Sequence, residues 1–207
     1  MTRHTDTKHV PAEAKRQPEP GQGDGLPKRT ASERVEALRA AARRASLLAG
    51  IARDRADGHH GRRDLLKVAE RLDGAAEAFL AAVPAASSGN LMFPYSLPPA
   101  AVADLWRAGD IVRDRPDAGF PDEVLHCITA PVTGGLPQPP DLHPASPALA
   151  RKEEDLRARL AAVLRHIDSP AEDTARAALD AVLDLYRQHA RLARAVEADN
   201  ARPCNRS

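Results

Sequence analysis

The first structured part of the chain places apolar residues at the spacing of an amphipathic helix. Thr30 and Glu33 have the spacing of a capping box, in which both side chains satisfy backbone N–H groups at a helix start. We expect this helix to end near Gly58, because glycine commonly follows the last helical turn. Its apolar stripe consists of Leu38, Ala41, Ala42, Ala45, Leu48, Ala49 and Ala52.

A second stripe with the same period follows after a connection of about four residues. Pro84 is expected to stop this helix, and so short a connection favours antiparallel neighbours. Residues 30–83 are therefore predicted to form one helical hairpin. The second stripe consists of Leu65, Val68, Leu72, Ala76, Phe79 and Val83.

Residues 148–199 repeat this plan. Ser146 and Pro147 offer an N-cap and a first helical residue, and an apolar stripe follows. The run Ser169-Pro170-Ala171-Glu172 combines an N-cap, an N1 proline and an N3 glutamate, which predicts the start of a last helix of about 28 residues. The predicted fold class is all-α: a four-helix bundle-like domain of two antiparallel helical hairpins with a Pro-rich insertion between them.

The insertion, residues 84–147, holds 12 of the 18 prolines and four of the six aromatic residues. Within it, the run from Pro99 to Arg113 predicts a short helix with Trp106 among its inward residues, beside Val102, Leu105 and Val112. The run from Pro121 to Thr129 is too short for its periodicity to separate a helical turn from a strand.

Composition indicates how such helices would pack. Alanine supplies 41 of the 207 residues and aromatic residues only 3%, so helices are expected to approach closely along alanine-lined seams. A second copy could also complete those seams, which makes a homodimer an alternative. Residues 1–29 and 200–207 are predicted to be disordered tails. With no secretory signal and no apolar run of transmembrane length, we expect a cytoplasmic protein without a membrane partner.

Positive charge is concentrated in one part of the chain. Residues 28–67 carry 11 Lys or Arg against five Asp or Glu, a local net charge of +6. Residues 68–207 carry 15 against 20, a net charge of −5. Such a segment can bind phosphates or an acidic partner. The residues that would make these contacts are Arg29, Arg39, Arg43, Arg62 and Arg63, with His59 and His60 in the turn.

A helical wheel argues against a groove-reading helix. Arg39 and Arg43 flank one side of the first apolar stripe, and Arg44 and Arg55 flank the other. Recognition helices more often gather such side chains on one face. The preferred interpretation is a solvated arginine face, or one paired with an acidic partner.

The run Leu91-Met-Phe-Pro-Tyr95 is unusually apolar for an exposed linker. The preferred interpretation is a plug at one end of the bundle. The alternative is an exposed partner-binding patch, because clusters of aromatic residues and methionine mark interfaces. That patch would consist of Met92, Phe93, Tyr95 and Trp106.

No motif predicts a reaction. Glu123 and His126 form a Glu-x-x-His pair, but a di-metal bundle needs two such motifs and two further inward glutamates, so they are weak metal candidates. His189 lies on the apolar stripe of the last helix, where a buried, hydrogen-bonded histidine is the simpler explanation. No nucleophile elbow and no phosphate-binding glycine loop occurs. No metal and no cofactor is predicted.

The sequence therefore favours a non-catalytic helical interaction, scaffold or regulatory protein that acts through protein–protein contacts. One alternative is a nucleic-acid-associated protein that uses the Arg-rich residues 28–67. The other is a metal-dependent helical-bundle enzyme.

Overall fold

The computed structural model describes residues 29–57, 61–88, 97–114, 120–121, 123–135 and 139–201. Every regular element in these ranges is a helix, which confirms the all-α prediction. The predicted disorder of residues 1–28 and 202–207 and the roles predicted for His59, His60, Met92, Phe93 and Tyr95 concern residues outside the described ranges. Asn200, predicted to lie in the C-terminal tail, is instead the last residue of the final helix. The helices are α1 (Ala31–Ala56), α2 (Arg62–Ala81), α3 (Val83–Ser87), α4 (Pro99–Asp114), α5 (Glu123–Thr133), α6 (Pro147–Leu164) and α7 (Glu172–Asn200).

Helix α1 begins as the capping box predicts. The backbone N–H of Thr30 donates to Oε2 of Glu33 at 2.6 Å, and the N–H of Glu33 donates to Oγ1 of Thr30 at 3.2 Å. The helix ends at Ala56, beside the predicted stop. It is the centre of the core, because α2, α5 and α7 all pack against it. Small side chains allow this, and its buried alanines are Ala37, Ala41, Ala42, Ala45, Ala49, Ala52 and Ala56.

Helix α2 packs against α1 on one side and α4 on the other. Gly74 makes the second contact close, because a Cβ at this position would lie 2.7 Å from Oδ2 of Asp104 on α4. Asp104 also accepts a hydrogen bond from Arg71 at 3.3 Å. The prediction that Pro84 stops the second helix is confirmed only in part: α2 ends at Ala81, and Pro84 lies in the first turn of α3, where its missing N–H is tolerated.

Helix α5 resolves the ambiguity over residues 121–129 in favour of a helix, and Pro131 lies inside it. A helical proline cannot donate to the carbonyl four residues earlier, which leaves the oxygen of Cys127 without its usual partner. Nη1 of Arg44 on α1 donates to that oxygen at 2.5 Å. Arg29 donates to the carbonyl of Pro131 itself. Two arginines that precede or belong to α1 therefore hold the carbonyl end of α5.

The helical wheel placed Arg44 on the solvent face of α1, and this prediction is wrong because Arg44 is buried. Its Nε and Nη2 donate to the two carboxylate oxygens of Asp168 at 2.9 and 2.5 Å. Asp168 lies between α6 and α7, so one side chain joins α1, α5 and the α6–α7 connection. An arginine fork satisfied at both ends can be buried at a position where a lone charge could not.

The start of the last helix differs from the prediction. Helix α7 begins at Glu172 with Ala171 as its N-cap, and no side chain caps it. Ser169 and Pro170 instead belong to the connection, where the Ser169 N–H donates to the carbonyl of His166 and Arg43 donates to the carbonyl of Pro170. Burial of Ile167 and the Arg44–Asp168 pair favour this non-helical turn over the local capping signal.

Side chains of α6 and α7 hold the segment 139–146 against this pair of helices. Arg157 donates to the carbonyl of Pro139 at 3.0 Å, and the N–H of Leu142 donates to Oε1 of Glu153 at 2.9 Å. At the far end, Asn200 accepts from the N–H of Ala145 at 3.2 Å. The C-terminal part of the insertion therefore follows the surface of α6 and α7.

Candidate functional site

An apolar groove lies between α4 and α5. Helix α4 packs on α2 and α5 packs on α1, and side chains of α4 and α5 line a cavity of about 360 Å³. We call it the Trp106 groove. Its lining residues are Leu97, Val102, Leu105, Trp106, Gly109, Arg113, Leu125, His126 and Thr129.

Trp106 is 70% exposed, more than any other large apolar side chain that the structure describes. Leu80 and Leu66, the other two exposed large apolar residues, are 54% and 41% exposed. The prediction that Trp106 faces inward is therefore wrong. Smaller side chains take the buried positions of α4, and Trp106 lies outside them. The buried residues of α4 are Ala101, Leu105, Ala108, Gly109 and Val112.

Three polar side chains line the groove, those of Arg113, His126 and Thr129. Arg113 folds across Gly109, and its Nη1 lies 3.2 Å from the position of a Cβ at that glycine. Nη2 of Arg113 donates to Asp110 at 2.6 Å, and the hydroxyl of Thr129 donates to the carbonyl of His126 at 3.2 Å. His126 is exposed and faces the groove from α5. The Trp106 groove therefore combines an apolar surface with the exposed ring of His126 and two polar groups that have partners on their own helices.

The predicted metal pair lies on the exposed side of α5. Glu123 is in the first turn and His126 lies one turn later, beside the groove. Across the described ranges, no group of three or more His, Cys, Asp or Glu side chains could hold a metal ion. The weak candidates Glu123 and His126 thus gain no third ligand from the described structure.

Two buried groups that could carry chemistry are held in unreactive states. Burial raises the pKa of the Cys127 thiol to about 11, against the lowering effect of Arg44. Because the thiolate is the nucleophile, Cys127 is not activated. His189 is buried, with Nε2 3.2 Å from the carbonyl oxygen of Pro140, as expected for a structural histidine. Burial lowers its pKa, so it is neutral at pH 7.

The five arginines proposed as contact residues do not form one surface. Arg29 and Arg43 donate to backbone carbonyls of α5 and of the α6–α7 connection. Arg62 lies 3.7 Å from Asp57 in an exposed ion pair. Arg39 and Arg63 are exposed and have no hydrogen bond or ion pair within the described chain. The residues are therefore divided between structural and solvated positions.

Ion pairs connect the basic part of the sequence with the acidic part. Arg55 of α1 lies 2.8 Å from Asp180 and 3.1 Å from Asp184, both on α7. Arg176 of α7 pairs in the opposite sense with Asp54 of α1. With the Arg44–Asp168 pair, these contacts bring the basic and acidic parts of the sequence together. The opposite net charges of the two parts are the feature of the sequence that could have indicated these contacts between α1 and the C-terminal part of the chain.

No protein-family model matches the chain, and comparison with curated proteins and with solved structures finds no match. Within the described residues, no helix has the length and apolarity needed to cross a bilayer.

Proposed function

We propose that this chain is a non-catalytic interaction protein, in which two helical hairpins form a four-helix bundle-like scaffold and the Trp106 groove binds a partner protein. The observation that carries the proposal is the exposure of Trp106 beside a preformed apolar recess. Tryptophan is enriched among the residues that dominate binding energy at interfaces.

The chemistry of the groove specifies the partner. An apolar side chain of the partner would pack against Trp106. A polar group beside it would form a hydrogen bond with the exposed ring of His126. We therefore propose a partner segment that carries an apolar anchor with a polar group beside it.

The rival function, nucleic-acid binding through residues 28–67, receives less support. Arg44 and Arg55 are engaged with aspartates of the second hairpin, and Arg29 and Arg43 with carbonyls. Arg39 and Arg63 remain available for phosphates. An enzymatic role has no activated nucleophile or third metal ligand among the described residues to support it.

Site-specific photo-crosslinking in the native cell tests the proposal. A photoreactive phenylalanine analogue replaces Trp106 in one variant and Leu80, the matched exposed apolar residue on α2, in another. We expect one discrete protein adduct from position 106 that is absent from position 80. Identical adduct patterns from both positions, or none from position 106, would overturn the proposal. An adduct of the chain with itself would assign the groove to a homodimer instead, and a nucleic-acid adduct would favour the rival.

Purified material gives an independent readout, because Trp106 is the single tryptophan of the chain. The crosslinked partner should shift Trp106 emission to the blue as the indole leaves water. Trp106→Ala should weaken the complex by about tenfold or more, in the range of an interface hot spot, whereas Leu80→Ala should not. Equal affinity of the Trp106→Ala variant would contradict the assignment.

A further inference from the structure

A second groove lies between α6 and α7 and is separate from the Trp106 groove. It has a volume of about 590 Å³ and is lined by side chains of these two helices only. We call it the α6–α7 groove. Its lining residues are Leu149, Arg151, Lys152, Asp155, Leu156, Arg159, Gln188, Arg191, Leu192 and Ala195.

The α6–α7 groove is strongly cationic. It is lined by Arg151, Lys152, Arg159 and Arg191 against one carboxylate, that of Asp155. Asp155 is 3.9 Å from Nη1 of Arg159, which also donates to Gln188 at 3.4 Å. Arg151, Lys152 and Arg191 have neither an ion pair nor a hydrogen bond within the described part of the chain.

This unneutralised charge contrasts with the rest of the second hairpin. The aspartates of α7 that could have compensated it, Asp180 and Asp184, are paired with Arg55 of α1. The local net charge of −5 over residues 68–207 therefore does not describe this surface, where four cations and one carboxylate line the groove.

Apolar side chains lie between the cations of α6 and Arg191 of α7. Leu156 and Leu192 form a nearly buried floor, and Leu149 and Ala195 are more exposed beside them. From Leu149 to Arg159, α6 rises about 15 Å, which matches about three turns of a helix laid along the groove. No aromatic residue lines the groove, so it lacks the stacking platform with which proteins bind single-stranded bases.

We propose that the α6–α7 groove binds an acidic amphipathic helix of a partner protein. The apolar stripe of that helix would pack on Leu149, Leu156, Leu192 and Ala195. Its carboxylates would pair with Arg151 and Lys152 on one side and with Arg191 on the other. A helix laid in a groove uses both the apolar floor and the charges, whereas a phosphate backbone would use only the charges.

The test uses the full chain and a labelled synthetic helix of about three turns, with leucines at i and i+4 spacing and glutamates elsewhere. We expect saturable binding that weakens as salt is added. The double variant Arg151→Glu with Arg191→Glu should weaken binding by about tenfold or more. Its matched control is Arg39→Glu with Arg63→Glu, which makes the same charge change at two other unpaired arginines and should bind as the wild type does.

Each other outcome overturns the proposal. No binding at low salt does so directly, and equal losses in the two double variants would indicate attraction by net charge alone. A peptide of the same composition with its leucines scrambled should bind about tenfold more weakly, because its charge is kept and its apolar stripe is lost. Equal affinity of the two peptides would show that the groove does not recognise an amphipathic helix.

Duplex DNA that binds more tightly than the peptide, and depends on Arg151 and Arg191, would assign the groove to nucleic acid. Trp106→Ala should leave peptide binding unchanged, which separates this result from the Trp106 groove.

Discussion

Nη1 of Arg44 lies 2.5 Å from the carbonyl oxygen of Cys127, the oxygen that a helical proline four residues later leaves without a donor. The two residues are 83 positions apart in the chain. Arg44 therefore does for α5 what a backbone N–H does in an uninterrupted helix. The cost of placing Pro131 inside a helix is offset by a side chain of α1.

The Arg44–Cys127 bond predicts a measurable coupling between Arg44 and Pro131. Arg44→Met should lower the free energy of unfolding by about 1–3 kcal/mol, because it leaves a buried carbonyl without a donor. In a Pro131→Ala background the new alanine N–H can serve that carbonyl, so the same change should cost about 1 kcal/mol less. Urea denaturation of the four proteins gives the coupling, with Arg39→Met as an uncoupled control. Additive effects of Arg44→Met and Pro131→Ala would show that Arg44 does not replace the N–H that Pro131 lacks.

The two ends of the Arg44–Asp168 pair should respond differently to mutation. The Arg44 side chain is 5% exposed and the Asp168 side chain 59%. Asp168→Ala leaves a buried guanidinium without its carboxylate, a change that costs about 3–5 kcal/mol at fully buried sites. Arg44→Met leaves an aspartate that water can solvate. We expect Asp168→Ala to lower the free energy of unfolding more than Arg44→Met does, and the reverse order would show that the Cys127 carbonyl dominates.

His189 should make stability depend on pH near neutrality. Burial lowers its pKa in the folded protein, with a smaller effect of Arg157 in the same direction and opposing effects of Pro140 and Glu153. In the unfolded chain the pKa is about 6.5. Between the two values the unfolded state binds more protons, so the free energy of unfolding falls as pH drops through about 6.5 toward the folded pKa.

Denaturation of the wild type and of His189→Gln between about pH 7.5 and 5.5 measures this effect. The slope attributable to His189 can reach at most about 1.4 kcal/mol per pH unit. Glutamine keeps a donor for the Pro140 carbonyl but does not titrate, so its slope should be smaller. Equal slopes in the two proteins would show that His189 does not titrate differently in the folded and unfolded states.

Cys127 should be inert in the folded protein. With a pKa of about 11, only about one thiol in a thousand is ionised at pH 8. In a Cys204→Ser variant, where Cys127 is the single thiol, iodoacetamide should label the denatured chain and leave the native one unmodified. Labelling of both at the same rate would contradict the burial of this side chain.

The sequence predicted the parts of the fold that depend on neighbouring residues. The Thr30–Glu33 capping box is complete within one helical turn, so its geometry needs nothing from the rest of the chain. The equally strong signal at Ser169 and Glu172 failed because Asp168, one residue earlier, is bound by Arg44 from the opposite end of the sequence. A long-range ion pair of this kind has no local pattern.

The candidate sites were harder to predict, for two physical reasons. Trp106 was expected inside because large apolar residues usually are, but the buried positions of α4 are Ala101, Leu105, Ala108, Gly109 and Val112, and the indole is left on the surface. The α6–α7 groove was missed because net charge was summed along the sequence. Arg151 and Arg191 are 40 residues apart and meet only when α6 and α7 lie side by side.

Arg44 and Arg55 of α1 pair with aspartates in the C-terminal part of the chain, and Arg176 of α7 pairs with Asp54 of α1, so each part supplies counterions to the other. A truncated protein that keeps only residues 30–83 would release its arginines and recruit other anions, nucleic acid included, to replace the lost aspartates. Affinity for DNA measured on such a fragment would result from the loss of these aspartates and would not be a property of the intact chain. The intact chain, with those charges already matched, is the form whose partners reveal its role.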